Sequence, residues 1–137
     1  MYQILKKNKI FLVYVPLALY WVLLFIATTI PSPTLPDMLD FSDKIKHFIA
    51  YFGFSILLTF TLHFQKKSKV FTRYFAVAAI IFIMIYGALD ELHQYFIPNR
   101  MCEFWDWTAD AIGGYLGVLF TFLYIKSQAG KRLTKQN

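Results

Sequence analysis

Charge is what this sequence is short of: 16% of its 137 residues are charged, against roughly a quarter in an ordinary soluble domain. That leaves too little polar surface to clothe a water-soluble fold of this size, and the apolar content excludes a disordered or fibrous chain. There is one cysteine, Cys102, which cannot close a disulfide within the chain and says little about compartment. Acidic residues are missing from whole stretches, with none before Asp37, none between Asp43 and Asp90, and none after Asp110. No internal repeat or low-complexity tract breaks the chain, and a single domain over residues 1–137 is expected.

What is there is grease. Apolar residues make up 58% of the chain and aromatics 20%, and the mean hydropathy is +0.48. Ile10 to Ile30 is a run of 21 residues without a charge, long enough to cross about 30 Å of hydrocarbon as a helix. Shorter runs follow from Phe48 to Phe64, extending back to Ile45, from Val70 to Leu89 with Arg73 near its start, and from Trp107 to Ile125 with Asp110 near its start. The expected fold is therefore all-α, a polytopic membrane protein built as a four-transmembrane-helix bundle, with helices at about 10–30, 45–65, 70–96 and 106–126. Lys6, Lys7 and Lys9 precede the first run as in a signal peptide, but the run is longer than an h-region and Ala27-Thr28-Thr29 offers no cleavage site, so retention is expected. Pro16 is tolerated inside a span where neighbouring helices compensate the lost hydrogen bond. Pro31, Pro33 and Pro36 mark a loop, Lys66 to Lys69 a basic turn, and Pro98 with Asn99 a break after the third helix.

The net charge of +6 hides a division. With the N-terminus on one side, that side collects Lys6, Lys7, Lys9, Lys66, Lys67, Lys69, Arg73, Lys126, Lys131, Arg132 and Lys135, eleven cations and no acid. The opposite half holds three cations, Lys44, Lys46 and Arg100, and all eight acids: Asp37, Asp40, Asp43, Asp90, Glu91, Glu103, Asp106 and Asp110. The positive-inside rule then puts both termini in the cytoplasm, and Trp105 and Trp107 fit an interfacial belt at the far boundary. A basic balance arranged this way is an orientation signal, and no nucleic-acid partner is expected.

Helical rise places the unusual polar groups in depth. Asp90 lies roughly 26 Å above Arg73, Asp110 roughly 24 Å above Lys126, and His47 roughly 27 Å above Gln65, so three helices deliver polar side chains to one level. Spacing pairs Asp43 with His47, Asp90 with His93 and Gln94, and Asp106 with Asp110, each on a single helix face. The last face continues through Gly113, Gly114 and Gly117, a G-x-x-x-G stripe that lets a neighbouring backbone approach closely. Asp106 and Asp110 would repel unless Arg100, a lysine, a bound cation or a proton intervenes. Lys44 and Lys46 read as snorkelling anchors, Asp106 as a helix N-cap, Arg100 as a clasp on Asp106 or Glu91, Ser55 as a packing hydroxyl, and His63 as an interfacial residue.

The ordered polar motifs, Asp43-Lys44-Ile45-Lys46-His47-Phe48 followed by Tyr51, then Asp90-Glu91-x-x-Gln94-x-x-x-Pro98-x-Arg100, then Asp106-x-x-x-Asp110-x-x-Gly113 with Gly117, resemble the VanZ-like family of small bacterial membrane proteins. The likeness covers roughly residues 25–120. One position departs from it, since the family usually carries Asn where this chain has Asp110. The resemblance implies the bacterial cell envelope and its cytoplasmic membrane, and the family's namesake is associated with low-level resistance to the glycopeptide teicoplanin.

Three functions stand open at this point. The first is binding of a phospholipid or isoprenoid-linked cell-wall-precursor head group through a layer of Asp43, Lys46, His47, Asp90, Glu91, His93, Gln94, Arg100, Asp106 and Asp110, with Arg100, Lys46 and His47 on phosphate. The second is a metal-dependent hydrolase or transferase, for which His47, His93, Glu91, Asp90, Asp106 and Asp110 are suitable ligand types for a divalent cation but lack a compact ligand signature. The third is a non-catalytic scaffold assembling as a homo-oligomer through Gly113 and Gly117. No cofactor is otherwise expected, and neither Ser42 nor Cys102 has the neighbourhood of a nucleophile.

Overall fold

The structure is a computed structural model that describes residues 1–31 and 41–133, with side chains described as far as Lys131. Pro33, Pro36, Asp37, Asp40, Lys135 and the side chain of Arg132 lie outside the described residues. Helices α1 (Tyr2–Lys7), α2 (Val15–Thr29), α3 (Phe41–Phe64), α4 (Lys69–Arg73), α5 (Phe75–Gln94) and α6 (Phe104–Leu133) follow in order, and among the described residues there is no strand. Four helices are long and apolar enough to cross a membrane, over Ile10–Thr29, Phe41–Phe64, Phe75–Gln94 and Phe104–Lys131. An apolar solvent leaves backbone groups no water to bond, so the helix, which satisfies them within one segment, is the available form.

The element boundaries differ from the sequence expectation in three places. The second span starts at Phe41 instead of about residue 45, with Asp43 in its first turn. The third is broken at Tyr74 (φ −110°, ψ 31°), which leaves Lys69 and Arg73 in the separate helix α4. A guanidinium is costly in hydrocarbon, and the break keeps it out of the span. Span four starts at Phe104, so Asp106 stands within the first turn and is not its N-cap.

Three turns have clear causes. Pro16 has no N–H for the carbonyl of Leu12, and its ring would press on that carbonyl in a regular helix. The backbone widens into a π-helical turn over Ile10–Tyr14, closed by the Val15 N–H on the Ile10 carbonyl, directly before α2 begins. The basic turn is knotted by Gln65, whose Nε2 donates to the Ser68 carbonyl at 2.7 Å and whose Oε1 accepts from the Ser68 N–H at 2.9 Å. Ser68 then caps α4 by accepting from the Phe71 N–H. After α5, Asn99 takes a left-handed conformation (φ 58°) and turns the chain toward α6.

Helix α6 lies along α3 as the most intimate pair of the bundle, with α5 against both and α2 on the outside. The reason is small residues. A Cβ on Gly113 would collide with the Phe48 carbonyl, and one on Gly117 with Ser55 Oγ and, at 2.5 Å, with the Phe52 carbonyl. Ser55 turns its hydroxyl onto that Phe52 carbonyl at 2.8 Å and is fully buried. Gly114 faces α5 instead, against Ile83. Tyr51, Phe54, Leu58, Ala79, Ile83 and Val118 form the central core with Leu24 from α2, and Val13, Phe60, Phe64 and Ile125 form a second cluster toward the basic end. Outward residues such as Phe11, Leu23, Ile49, Ile85 and Phe120 are exposed, as expected of faces solvated by acyl chains. At the basic end the Tyr2 hydroxyl meets His63 Nε2 at 2.8 Å and Lys9 donates to the Phe64 carbonyl at 2.8 Å, which ties the start of the chain to the end of α3.

Because lipid competes for apolar contact as well as another helix does, close packing carries the association. Gly113→Ala and Gly117→Ala are each expected to destabilise the bundle by about 1–3 kcal/mol through overpacking, measured by thermal unfolding in detergent micelles. Gly130→Ala, where a Cβ meets nothing within 4 Å, is expected to change little.

Candidate functional site

The acidic end of the bundle is assembled from three helices and the turn before α6. Helix α3 contributes Asp43, Lys44, Lys46, His47 and Tyr51 at spacings that put 44, 47 and 51 on one face, α5 contributes Asp90, Glu91 and Gln94 at its last turn, and α6 contributes Asp106 and Asp110. Asp90, Glu91, Gln94, Glu103, Asp106 and Asp110 are all buried, and Asp110 is 1% exposed.

The side chains form linked networks. His47 Nδ1 stands 3.0 Å from Asp110 Oδ1 and 3.9 Å from Glu91 Oε1, joining all three helices. The second Glu91 oxygen accepts the Glu103 N–H at 2.8 Å, and Gln94 donates to the first at 3.3 Å. Lys44 Nζ lies 3.1 Å from both Glu103 Oε2 and Asp106 Oδ1. Tyr51, itself 1% exposed, donates its hydroxyl to Asp90 Oδ2 at 3.3 Å.

Beside these networks a half-open cleft of about 130 Å³ runs between α2 and α3. Leu24, Ala27 and Ala50 make its apolar wall, His47, Tyr51 and Asp90 with Thr28 its polar lining, and Lys46, Asp43 and Arg100 complete it. Lys46 is largely exposed and pairs with Asp43 at 3.3 Å. Arg100 lays its guanidinium on the end of α2, donating from Nε to the Ile30 carbonyl and from Nη2 to the Ala27 carbonyl, both at 3.3 Å. Carbonyls at a helix C-terminus lack partners within the helix and carry the negative end of its dipole, which suits a cation there.

Several sequence expectations change on this geometry. Lys44 is no snorkelling anchor, since its ammonium turns inward onto two carboxylates that would otherwise be buried without a counter-charge. Arg100 clasps α2 carbonyls, not Asp106 or Glu91, because Lys44 already occupies Asp106. His93 stacks on Phe25, with ring centroids 5.0 Å apart, and stands apart from the His47 network. Trp107 is half-buried and donates its indole N–H to the Met84 carbonyl at 3.2 Å, whereas Trp105 stays exposed as a belt residue would. Two members of the cluster, Lys44 and Glu103, escaped the sequence reading. The face shared by residues 44, 47 and 51 could have revealed Lys44; nothing local marks Glu103, which enters through the turn. Cys102 is exposed, and slight burial followed by the nearby Glu91 push its thiol above the usual range, which disfavours a nucleophilic thiolate.

Four membrane-crossing helices around a buried polar layer define a multi-pass membrane protein. The chain belongs to the VanZ/LLP1 family, whose family model matches residues 5–125. No curated protein and no solved structure matches it.

Removing a counter-charge from a buried carboxylate costs more than removing one at the surface. Lys44→Met is expected to destabilise the protein by about 1–3 kcal/mol, and Lys46→Met, at a side chain 69% exposed, by less than about 1 kcal/mol. Unfolding midpoints of the two variants in the same detergent check the order; equal effects would contradict the inward role of Lys44.

Proposed function

We propose that the protein binds a phosphate-bearing head group of an envelope amphiphile, a phospholipid or an isoprenoid-linked cell-wall precursor, in the cleft between α2 and α3. One observation carries the reading: the cleft gathers Lys46 and Arg100, two of the three cations of the acidic half, beside an apolar wall and above a polar lining. Phosphate suits the two cations, Arg100 through its planar fork and Lys46 as a mobile point charge. Hydroxyl or amine groups of the same head group suit Asp90, His47 and Tyr51. Leu24, Ala27 and Ala50 would meet the first carbons of a lipid chain, and α2 is the least embedded of the spans, which leaves a lateral way in. The likeness to a family whose namesake is associated with teicoplanin resistance agrees with a ligand of the cell envelope. The protein sits in this reading in the bacterial cytoplasmic membrane with both termini in the cytoplasm, which turns the cleft toward the cell wall.

Native mass spectrometry of protein gently extracted from its membrane is expected to show one retained amphiphile per chain, with fragmentation separating a phospholipid from an isoprenoid-linked precursor. The double variant Lys46→Gln with Arg100→Gln is expected to lose that adduct while keeping its helical content. An adduct that persists in the variant, or none in the parent protein, would overturn the head-group reading.

Sidedness has its own probe in Cys102, the single cysteine, exposed at the acidic end. A membrane-impermeant maleimide is expected to label it on intact cells stripped of their outer layers. Labelling that appears only after permeabilisation would reverse the orientation.

A further inference from the structure

Five carboxylates, those of Asp90, Glu91, Glu103, Asp106 and Asp110, are buried at one end of the bundle, between 1% and 8% exposed. Among the described residues, the basic groups in ion pairs with them are Lys44 and His47. The other two cations of this end stand at the cleft, where Lys46 pairs with Asp43 and Arg100 donates to the carbonyls of Ala27 and Ile30. A surplus of buried negative charge needs protons or a further cation to offset it.

The surplus has a centre. Lys44 lies between Glu103 and Asp106, which leaves His47, Glu91 and Asp110 as a separate group contributed by three helices. One ligand atom from each falls within 4.8 Å of the others. Ligands around a single divalent ion, each at about 2.1 Å, sit roughly 3.0–3.5 Å apart. His47 Nδ1 and Asp110 Oδ1 are already 3.0 Å apart, and Glu91 Oε1, at 3.9 Å from the imidazole, needs to close by roughly 0.4–0.9 Å to reach that spacing. Glu91 is oriented from behind by the Glu103 N–H and by Gln94, the kind of outer hydrogen bonding that aims a metal-ligating carboxylate.

A second observation points to a missing ligand. Asp110 is 1% exposed, yet its Oδ2 has no hydrogen-bond partner. That oxygen lies beside α5 at Gly87, one helical turn before Glu91, where a Cβ would stand 3.4 Å from it. Buried acceptors are nearly always satisfied, and one that is not calls for an ion or a donor.

We propose that His47, Glu91 and Asp110 form a binding site for one divalent cation of borderline hardness, Zn²⁺ or Mn²⁺. Imidazole with two carboxylates suits that class of ion. With the imidazole neutral, the two carboxylates match the ion's charge, so the three-ligand group becomes neutral as a whole. A competing trio of Asp43, His47 and Asp106 shares the imidazole, but its carboxylates already have counter-charges in Lys46 and Lys44. His47 also lines the cleft, so the site adjoins it. The site shares His47 with the head-group cleft but does not rest on that reading, since the ion is held without Lys46 and Arg100.

The test uses the full chain in detergent micelles, stripped with a chelator, desalted, and titrated with Mn²⁺ while free Mn²⁺ is read by electron paramagnetic resonance. One ion per chain is expected, with pulsed spectra showing nitrogen coupling from a single imidazole, and Zn²⁺ is expected to displace it. Asp110→Asn and Glu91→Gln are each expected to weaken binding at least tenfold. Lys46→Gln is expected to leave it unchanged. Binding of neither ion to folded protein, bound Mn²⁺ without nitrogen coupling, or affinity unaltered in both ligand variants would overturn the site. Loss of the lipid adduct in the Lys46 and Arg100 double variant, with Mn²⁺ binding intact, separates the two proposals.

Discussion

A carboxylate taken out of water must find its compensation inside the protein, and the acidic end of this bundle is arranged around that demand. Lys44 meets Glu103 and Asp106, His47 meets Asp110 and Glu91, and Tyr51 meets Asp90. Each of these contacts crosses between elements, so the polar layer also fixes how α3, α5 and the start of α6 stand relative to one another. A layer of this kind specifies register where apolar faces alone would permit sliding.

Those contacts depend in turn on how closely α3 and α6 approach. Gly113 and Gly117 remove the side chains that would hold the helices apart, and the backbone of α3 at Phe48 and Phe52 fills the space. Gly113 lies three residues after Asp110, and Phe48 directly follows His47. The close approach that glycine permits is therefore what brings the imidazole within 3.0 Å of the carboxylate. Packing and charge pairing at this end are one arrangement.

The legibility of the sequence follows the range of each interaction. Spans were readable because crossing hydrocarbon needs a long uncharged run, a property of contiguous residues; the polar level was readable because helical rise is constant. Ends of spans were less so. Arg73 looked like part of the third span until the break at Tyr74 set it outside, and the second span begins at Phe41, ahead of the start near residue 45 that its apolar run suggested. The partners of individual charges were the least readable. Arg100 could have served Asp106, Glu91 or backbone carbonyls, and its position in the chain favours none of them.

By itself, then, the sequence determined that this chain carries four helices long and apolar enough to cross a membrane, that its acids collect at one end, and that three helices carry polar groups to a common depth. These follow from hydrophobic length, charge placement and helical rise, all of which act along the chain. Tertiary structure alone decided that Lys44 points inward, that Glu103 enters the layer through a turn, and that Arg100 is drawn to the end of α2. It also decided that His47, Glu91 and Asp110 converge while His93 stacks on Phe25 instead. Which counter-charge a buried carboxylate receives depends on which groups reach it first in space, and that is settled only when the helices have packed.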